Sequence, residues 1–170
     1  MKKAPIYLVL FLIIFSSCKK YDEGPAISLR SKEKRLCQEW EMKKIELNGT
    51  IDPDDEFSYY YWDIHKDGTI NIRVRFVDEP GEETMEFEWE WINDKKGIKI
   101  TNQYGKKESS PYFYKLVKNN SSVNDDGAIE FEIKRLKYDE LIVEFEEFSD
   151  KYRLEFGKQR RADYKSLITR

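Results

Sequence analysis

From residue 38 onward, apolar and polar side chains alternate in runs of strand length, with turn residues interrupting them about every 10 to 15 positions. The segment 83–92 is the clearest case: Met85, Phe87, Trp89 and Trp91 fall on one face, and Glu86, Glu88 and Glu90 on the other. The segment before it sets Ile70, Ile72, Val74 and Phe76 against Asn71, Arg73 and Arg75. The same pattern predicts strands near 38–47, 57–65, 69–77, 83–92, 97–103, 111–118, 128–136, 140–147 and 151–157. Ahead of them, residues 31–36 suit a short N-terminal helix with Ser31 as its cap and Glu33 in its first turn. Short strands joined by hairpin turns define an all-β, antiparallel sandwich or barrel.

Side-chain parity also constrains how the strands pair, because a one-residue slip turns every side chain to the other face. A two-residue Asp67-Gly68 loop would set Asp63 against Ile72 on the buried face, at a cost of several kcal/mol. A three-residue loop with Gly68 in the left-handed region instead pairs Ile64 with Ile70 and Trp62 with Ile72. Tyr60, Trp62 and Ile64 then face inward. In the next hairpin a loop over Asp78-Gly81 sets Val74 opposite Met85, Ile72 opposite Phe87 and Arg73 opposite Glu86. A Ser149-Asp150 turn pairs Phe145 with Leu154 and Val143 with Phe156. Ile133 and Leu136 break the alternation of their strand, which predicts a bulge near Lys134-Arg135.

The N-terminus carries an address. Met1-Lys2-Lys3 is a basic head, followed by an unbroken apolar run from Ile6 to Phe15. Ten residues are too short for a bilayer core, which needs about 20. Together with the small residues Ser16 and Ser17 before Cys18, they read as a secretory signal over 1–17. Phe15-Ser16-Ser17-Cys18 resembles the lipobox of bacterial lipoproteins, with Phe where Leu is commoner. That resemblance implies cleavage before Cys18 and its acylation. Several acyl chains, at about 0.8 kcal/mol per buried methylene, tether a protein stably to a membrane. Lys19 after the cysteine implies the outer membrane, and Lys19-Lys20-Tyr21-Asp22-Glu23 resembles a signal for the cell surface. Residues 18–30, with Gly24-Pro25, are then expected to form the lipidated tether, 31–157 one β domain and 158–170 a basic tail.

Composition narrows the class further. Without the signal segment the chain has 28 basic and 33 acidic residues, an acidic balance that argues against nucleic acid as a partner. Its 22 aromatics and 18 isoleucines and valines, against 8 leucines and 3 alanines, exclude an all-α fold. With Cys18 acylated, Cys37 is the one remaining thiol, so no intramolecular disulfide is expected, and Cys37 reads as a small packed apolar residue.

Several segments together resemble the lipocalin-like lipoproteins of diderm bacteria: Cys18-Lys19-Lys20-Tyr21-Asp22-Glu23-Gly24-Pro25, Ser28-Leu29-Arg30-Ser31-Lys32, Leu36-Cys37-Gln38-Glu39-Trp40, Lys66-Asp67-Gly68-Thr69, Trp89-Glu90-Trp91, and Ile133-Lys134-Arg135-Leu136 leading to Asp139-Glu140-Leu141. The family pattern has glycine two residues before the first-strand tryptophan, where this chain has Gln38. The resemblance implies an up-and-down barrel of about eight to nine strands, with Trp40 packed over one end and an interior that can hold a small ligand.

Catalytic chemistry finds little footing. His65 is the lone histidine, and neither a nucleophile elbow nor a phosphate-binding glycine loop occurs. Asp52-Pro53-Asp54-Asp55-Glu56 lacks the glycine and terminal bidentate glutamate of a calcium loop and reads as solvated. We therefore expect no enzyme activity, no catalytic or metal-binding residues and no cofactor. The expected function is to bind a small apolar or aromatic ligand through inward aromatics, with Trp40, Tyr60, Trp62, Phe87, Trp89 and Trp91 as candidates. The alternative is a filled barrel that docks an envelope protein or glycan through exposed aromatics, of which Tyr59-Tyr60-Tyr61-Trp62 and Pro111-Tyr112-Phe113-Tyr114 are the richest runs.

Overall fold

The computed structural model describes residues 30–51, 58–76, 81–101, 128–147 and 149–159. The strand expected at 111–118, the acidic run 52–56 and residues 1–29 and 160–170 lie outside them. A short helix α1 (Lys32–Leu36) precedes nine strands: β1 (Glu39–Leu47), β2 (Thr50–Ile51), β3 (Ser58–Ile64), β4 (Thr69–Phe76), β5 (Glu82–Ile92), β6 (Gly97–Thr101), β7 (Ala128–Leu136), β8 (Glu140–Glu147) and β9 (Asp150–Lys158). From β3 to β9 each strand pairs antiparallel with the next, and β1 pairs with both β3 and β9. Eight strands thus close into a barrel, and β2 adds to the upper end of β1 through an Asn48-Gly49 turn with both residues at positive φ. Of the sandwich or barrel that the alternation pattern allows, the structure is the up-and-down β-barrel that the resemblance implies, with the short N-terminal helix expected from Ser31.

The two ends of the barrel differ. At one end, Ser31 caps α1 by accepting from the Lys34 amide. The helix brings Leu36 and the half-buried Cys37 under the core. We call this the closed end; the turns at 65–68, 93–96 and 137–139 lie there too. The other end, the mouth, receives the β1–β2 and β8–β9 turns and the strand ends Phe76, Glu82, Thr101 and Ala128. Inside, Trp62 meets Phe131 edge-on at 5.4 Å and Phe156 at 4.6 Å, and Phe131 meets Phe145 at 5.2 Å.

The first hairpin has the expected register: Ile64 faces Ile70, Trp62 faces Ile72 and Gly68 sits at φ +92°. The bulge in β7 falls between Ile133 and Arg135, also as expected. Two other registers need correction, each by two residues. In β4–β5, Ile70 faces Phe87, Ile72 faces Met85 and Arg73 faces Thr84. Arg73 therefore lies across from neither Glu86 nor any other acid, and instead reaches Glu82 (3.5 Å), Glu39 (3.8 Å) and the Gln159 carbonyl oxygen Oε1 (3.2 Å). The slip follows from the closed end. The Trp89 amide donates to the Gly68 carbonyl at 2.7 Å and its indole Nε1 to the His65 carbonyl at 2.8 Å, which pins Thr69 against Glu88.

In β8–β9 the pairs are Leu141 with Phe156, Val143 with Leu154 and Phe145 with Tyr152, closing at Glu147 with Asp150. The expected register would have set Glu144 against Glu155, a like-charge pair that destabilises. The observed one sets Glu144 against Arg153, with the guanidinium Nη1 3.0 Å from the carboxylate, and stacks Phe145 flat on Tyr152 at 4.7 Å. A two-residue slip leaves every side chain on its own face, so both corrections leave the inward set intact.

Candidate functional site

The interior is best followed from the closed end upward. Trp40, fully buried on β1, donates its indole Nε1 to the Leu36 carbonyl at 2.8 Å and seals the floor. Below it the buried Arg35 donates to the Leu136 carbonyl at 2.6 Å. Gln38, where glycine was the family expectation, fits here because its amide donates to the carbonyls of Arg35 and Tyr138, each at 2.8 Å. The side chain thereby ties α1 to the β7–β8 turn. Phe87 and Trp89 pack in the core at this same end, while Trp91 is half-buried, edge-on to Trp89 at 5.5 Å, with the Lys95 ammonium 5.7 Å above its ring.

Above this floor lies an apolar hollow. Tyr60 and Trp62 of β3 line it with Ile72 and Val74 of β4, Ile129 and Phe131 of β7, Phe145 of β8 and Leu154 of β9. Its free volume is about 10 Å³, room for about one water molecule, so among the described residues the hollow is filled by its own side chains. Of the six candidate aromatics, the structure brings Tyr60 and Trp62 to the hollow and places Trp40, Phe87, Trp89 and Trp91 away from it. Ile72, Val74, Ile129, Phe131, Phe145 and Leu154 lie outside the six candidates, and the sequence marks them only through the inward parity of their strands.

Outside the barrel, a second depression of about 350 Å³ lies between the 67–69 turn and the outer faces of Glu88, Glu90 and Thr101. Its Asp67 carboxyl is held below the usual range by the Thr69 hydroxyl and amide, at 2.7 and 3.0 Å. On the wall formed by β7, β8 and β9, burial alone would raise Glu144. Hydrogen bonds from Lys151 (2.8 Å) and Arg153 (3.0 Å) and the charge of Lys134 nonetheless hold it below the ordinary carboxylate value.

Burial pushes the Cys37 thiol up to about 11, with Glu33 adding to the effect, so it is a protonated packing group at neutral pH. His65 stands at the strand end, its Nε2 3.4 Å from the Asp63 carboxylate and 3.3 Å from the Asn71 amide. No group of three or more His, Cys, Asp or Glu side chains is placed to hold a metal ion among the described residues. No helix among them is long and apolar enough to cross a membrane.

Neither a protein-family model nor a curated protein sequence matches the chain. Solved structures do. A lipocalin-like protein from Bacteroides uniformis ATCC 8492 superposes with a TM-score of 0.55 at 18% identity, over 74% of this chain and 99% of that one. An uncharacterized protein from Bacteroides eggerthii DSM 20697 gives a TM-score of 0.48 at 16% identity, over 72% of this chain and 98% of that one. At such identity the first likeness shows the fold: the barrel is lipocalin-like.

Proposed function

We propose that this chain is a non-enzymatic envelope protein of a diderm bacterium, anchored in the outer membrane by acyl groups on Cys18, whose barrel takes a small apolar or aromatic ligand at its mouth. The observation that carries the reading is the hollow itself: eight largely apolar side chains converge there, below the mouth of a barrel whose floor is sealed by Trp40. Because the hollow admits only about one water molecule and Val74 and Leu154 are fully buried, the ligand binds by widening the hollow from the mouth, beside the half-buried Tyr60 and over Val74, Ile129, Phe145 and Leu154, and does not reach down to Phe87 or Trp89.

Titrating delipidated protein with a naphthalene-based fluorescent probe tests this. Saturable enhancement is expected, and Ile129→Trp, which fills the hollow, should weaken it at least about ten-fold, or 1.4 kcal/mol. Absence of saturable binding to the unaltered protein would sink the ligand reading. The anchor has its own test: Cys18→Ala should abolish metabolic labelling by a palmitate analogue and release the protein from the membrane fraction, and persistent labelling would overturn the assignment.

The filled interior favours a second reading, in which the barrel has no small ligand and docks an envelope protein or glycan. Ile51 and Tyr59, 60% and 51% exposed near the mouth, would supply the apolar contacts. A barrel that takes up no probe yet retains one defined partner, lost in Tyr59→Ala, would decide for it.

A further inference from the structure

We propose that Asn48 is a modification site: a deamidating asparagine held unreactive by the hydrogen bonds that join two turns at the mouth, whose conversion to a carboxylate parts those turns. Asn48-Gly49 is the single Asn-Gly pair in the chain. The turn selects it. Leu47 pairs with Thr50 across a two-residue loop with Asn48 at φ +53° and Gly49 at φ +80°, backbone that Asn and Gly reach most cheaply. The same pair is chemically labile, because Gly49 has no Cβ to shield its amide nitrogen and nothing lies within 4 Å of where one would stand. That nitrogen can attack the Asn48 side-chain carbonyl carbon. The new C–N bond forms as the bond to Nδ2 breaks, the proton of the Gly49 amide leaves with the departing ammonia, and a succinimide remains. Water then opens the ring to aspartate or isoaspartate, with no oxidation or reduction at any step.

Ring closure needs the side chain turned back onto its own peptide, in an eclipsed arrangement about Cα–Cβ. In the folded barrel the side chain is instead held across to the start of β9. Nδ2 donates to the Asp150 carboxylate at 2.8 Å, Oδ1 accepts from the Lys151 amide at 2.9 Å, and the Asn48 amide donates to the Lys151 carbonyl at 2.8 Å. Asn48, Gly49 and Asp150 are all exposed, so water reaches the site and these bonds, not burial, suppress the reaction. The partner turn is itself strained, with Ser149 at φ +126°. Deamidation sets a second carboxylate oxygen where Nδ2 met the Asp150 carboxylate at 2.8 Å, so attraction becomes like-charge repulsion. The strained turn then loses the contact that holds it.

Peptide mass mapping of the full-length protein at mildly alkaline pH follows the reaction at residue 48. Deamidation should be at least about ten-fold slower in the folded protein than in urea, equivalent to about 1.4 kcal/mol of barrier. Asp150→Ala removes the acceptor from Nδ2 at an exposed position and should speed the folded-state reaction at least about three-fold. Equal rates in the folded protein and in urea, or no change in Asp150→Ala, would overturn the protection. Asn48→Asp tests the consequence by hydrogen exchange. The Lys151 amide should exchange at least about ten-fold faster, with the Ile64 amide, bonded to the Gln38 carbonyl at the closed end, unchanged. Unaltered exchange at Lys151 would overturn the parting of the turns.

Discussion

Phe131→Ala probes the packing of the barrel more sharply than any other single change. Phe131 is 3% exposed and projects from β7 into the upper interior, edge-on to Trp62 at 5.4 Å and 75° and to Phe145 at 5.2 Å and 70°. Truncating a buried phenylalanine costs about 3–5 kcal/mol, the spread reflecting how far the surroundings collapse. Two edge-to-face contacts, each contributing about 0.5–1.5 kcal/mol beyond area burial, place this site toward the upper end of that range. Collapse is also hindered, since Trp62 is braced by Phe156 at 4.6 Å on its other side. The neighbouring Glu130 is exposed and points outward, so Glu130→Ala should change stability by less than about 0.5 kcal/mol. Urea unfolding of both variants, with the slope of the transition required to stay constant, gives the comparison. A loss below about 1 kcal/mol for Phe131→Ala would mean that its ring borders solvent and that the filled interior is wrong.

Three further expectations concern separate features. A Cβ at Gly97 would lie 2.6 Å from the Phe131 carbonyl oxygen, so Gly97→Ala must push β6 away from β7 and should cost about 1–3 kcal/mol by thermal or urea unfolding. Cys37, with its thiol raised from 9.0 to about 11, should be alkylated at pH 8 about 100-fold more slowly in the folded protein than in denaturant; equal rates would mean an exposed thiolate. Glu144 is held below its usual value in the folded state, so the unfolded chain binds its proton first as pH falls. Its stabilisation is present above the ordinary carboxylate value of 4.5 and is lost as pH drops below it through the lower folded value. Glu144→Gln should flatten that acid limb in urea midpoints measured from pH 6 to pH 3.

Much of the fold was legible because the barrel rests on a two-residue period, which alternation exposes without any knowledge of partners. The strands around Ile70–Phe76, Met85–Trp91, Ala128–Leu136 and Glu140–Glu147 follow from it, whereas the helix is legible from its Ser31 cap. Pairing was legible where the alternatives differ by one residue and so exchange the two faces, as in the Lys66–Gly68 loop, where burial of Asp63 decides the matter. In β4–β5, the decisive bonds run from Trp89 to the Gly68 and His65 carbonyls, and no pattern of polarity announces a main-chain acceptor. For β8–β9 a signal was present, since Glu144 opposite Glu155 is unfavourable, but hydrophobic matching alone hides it. The hollow was legible as an inward face, and its narrowness was not: how far Trp62, Phe131 and Phe145 fill the centre depends on packing across three strands. Gln38, where the resemblance implies glycine, likewise makes sense only once the carbonyls of Arg35 and Tyr138 are seen within reach of its amide.

The mouth as the binding element is tested most directly by methyl NMR of isotopically labelled, delipidated protein titrated with a small aromatic hydrocarbon. Val74, Ile129 and Leu154 line the hollow, whereas Ile64, Ile70 and Leu136 are buried toward the closed end. Saturable shifts are expected at the first three residues' methyl groups, with those of the last three unmoved. Shifts centred on Ile64, Ile70 and Leu136, or none anywhere at saturating ligand, would contradict it.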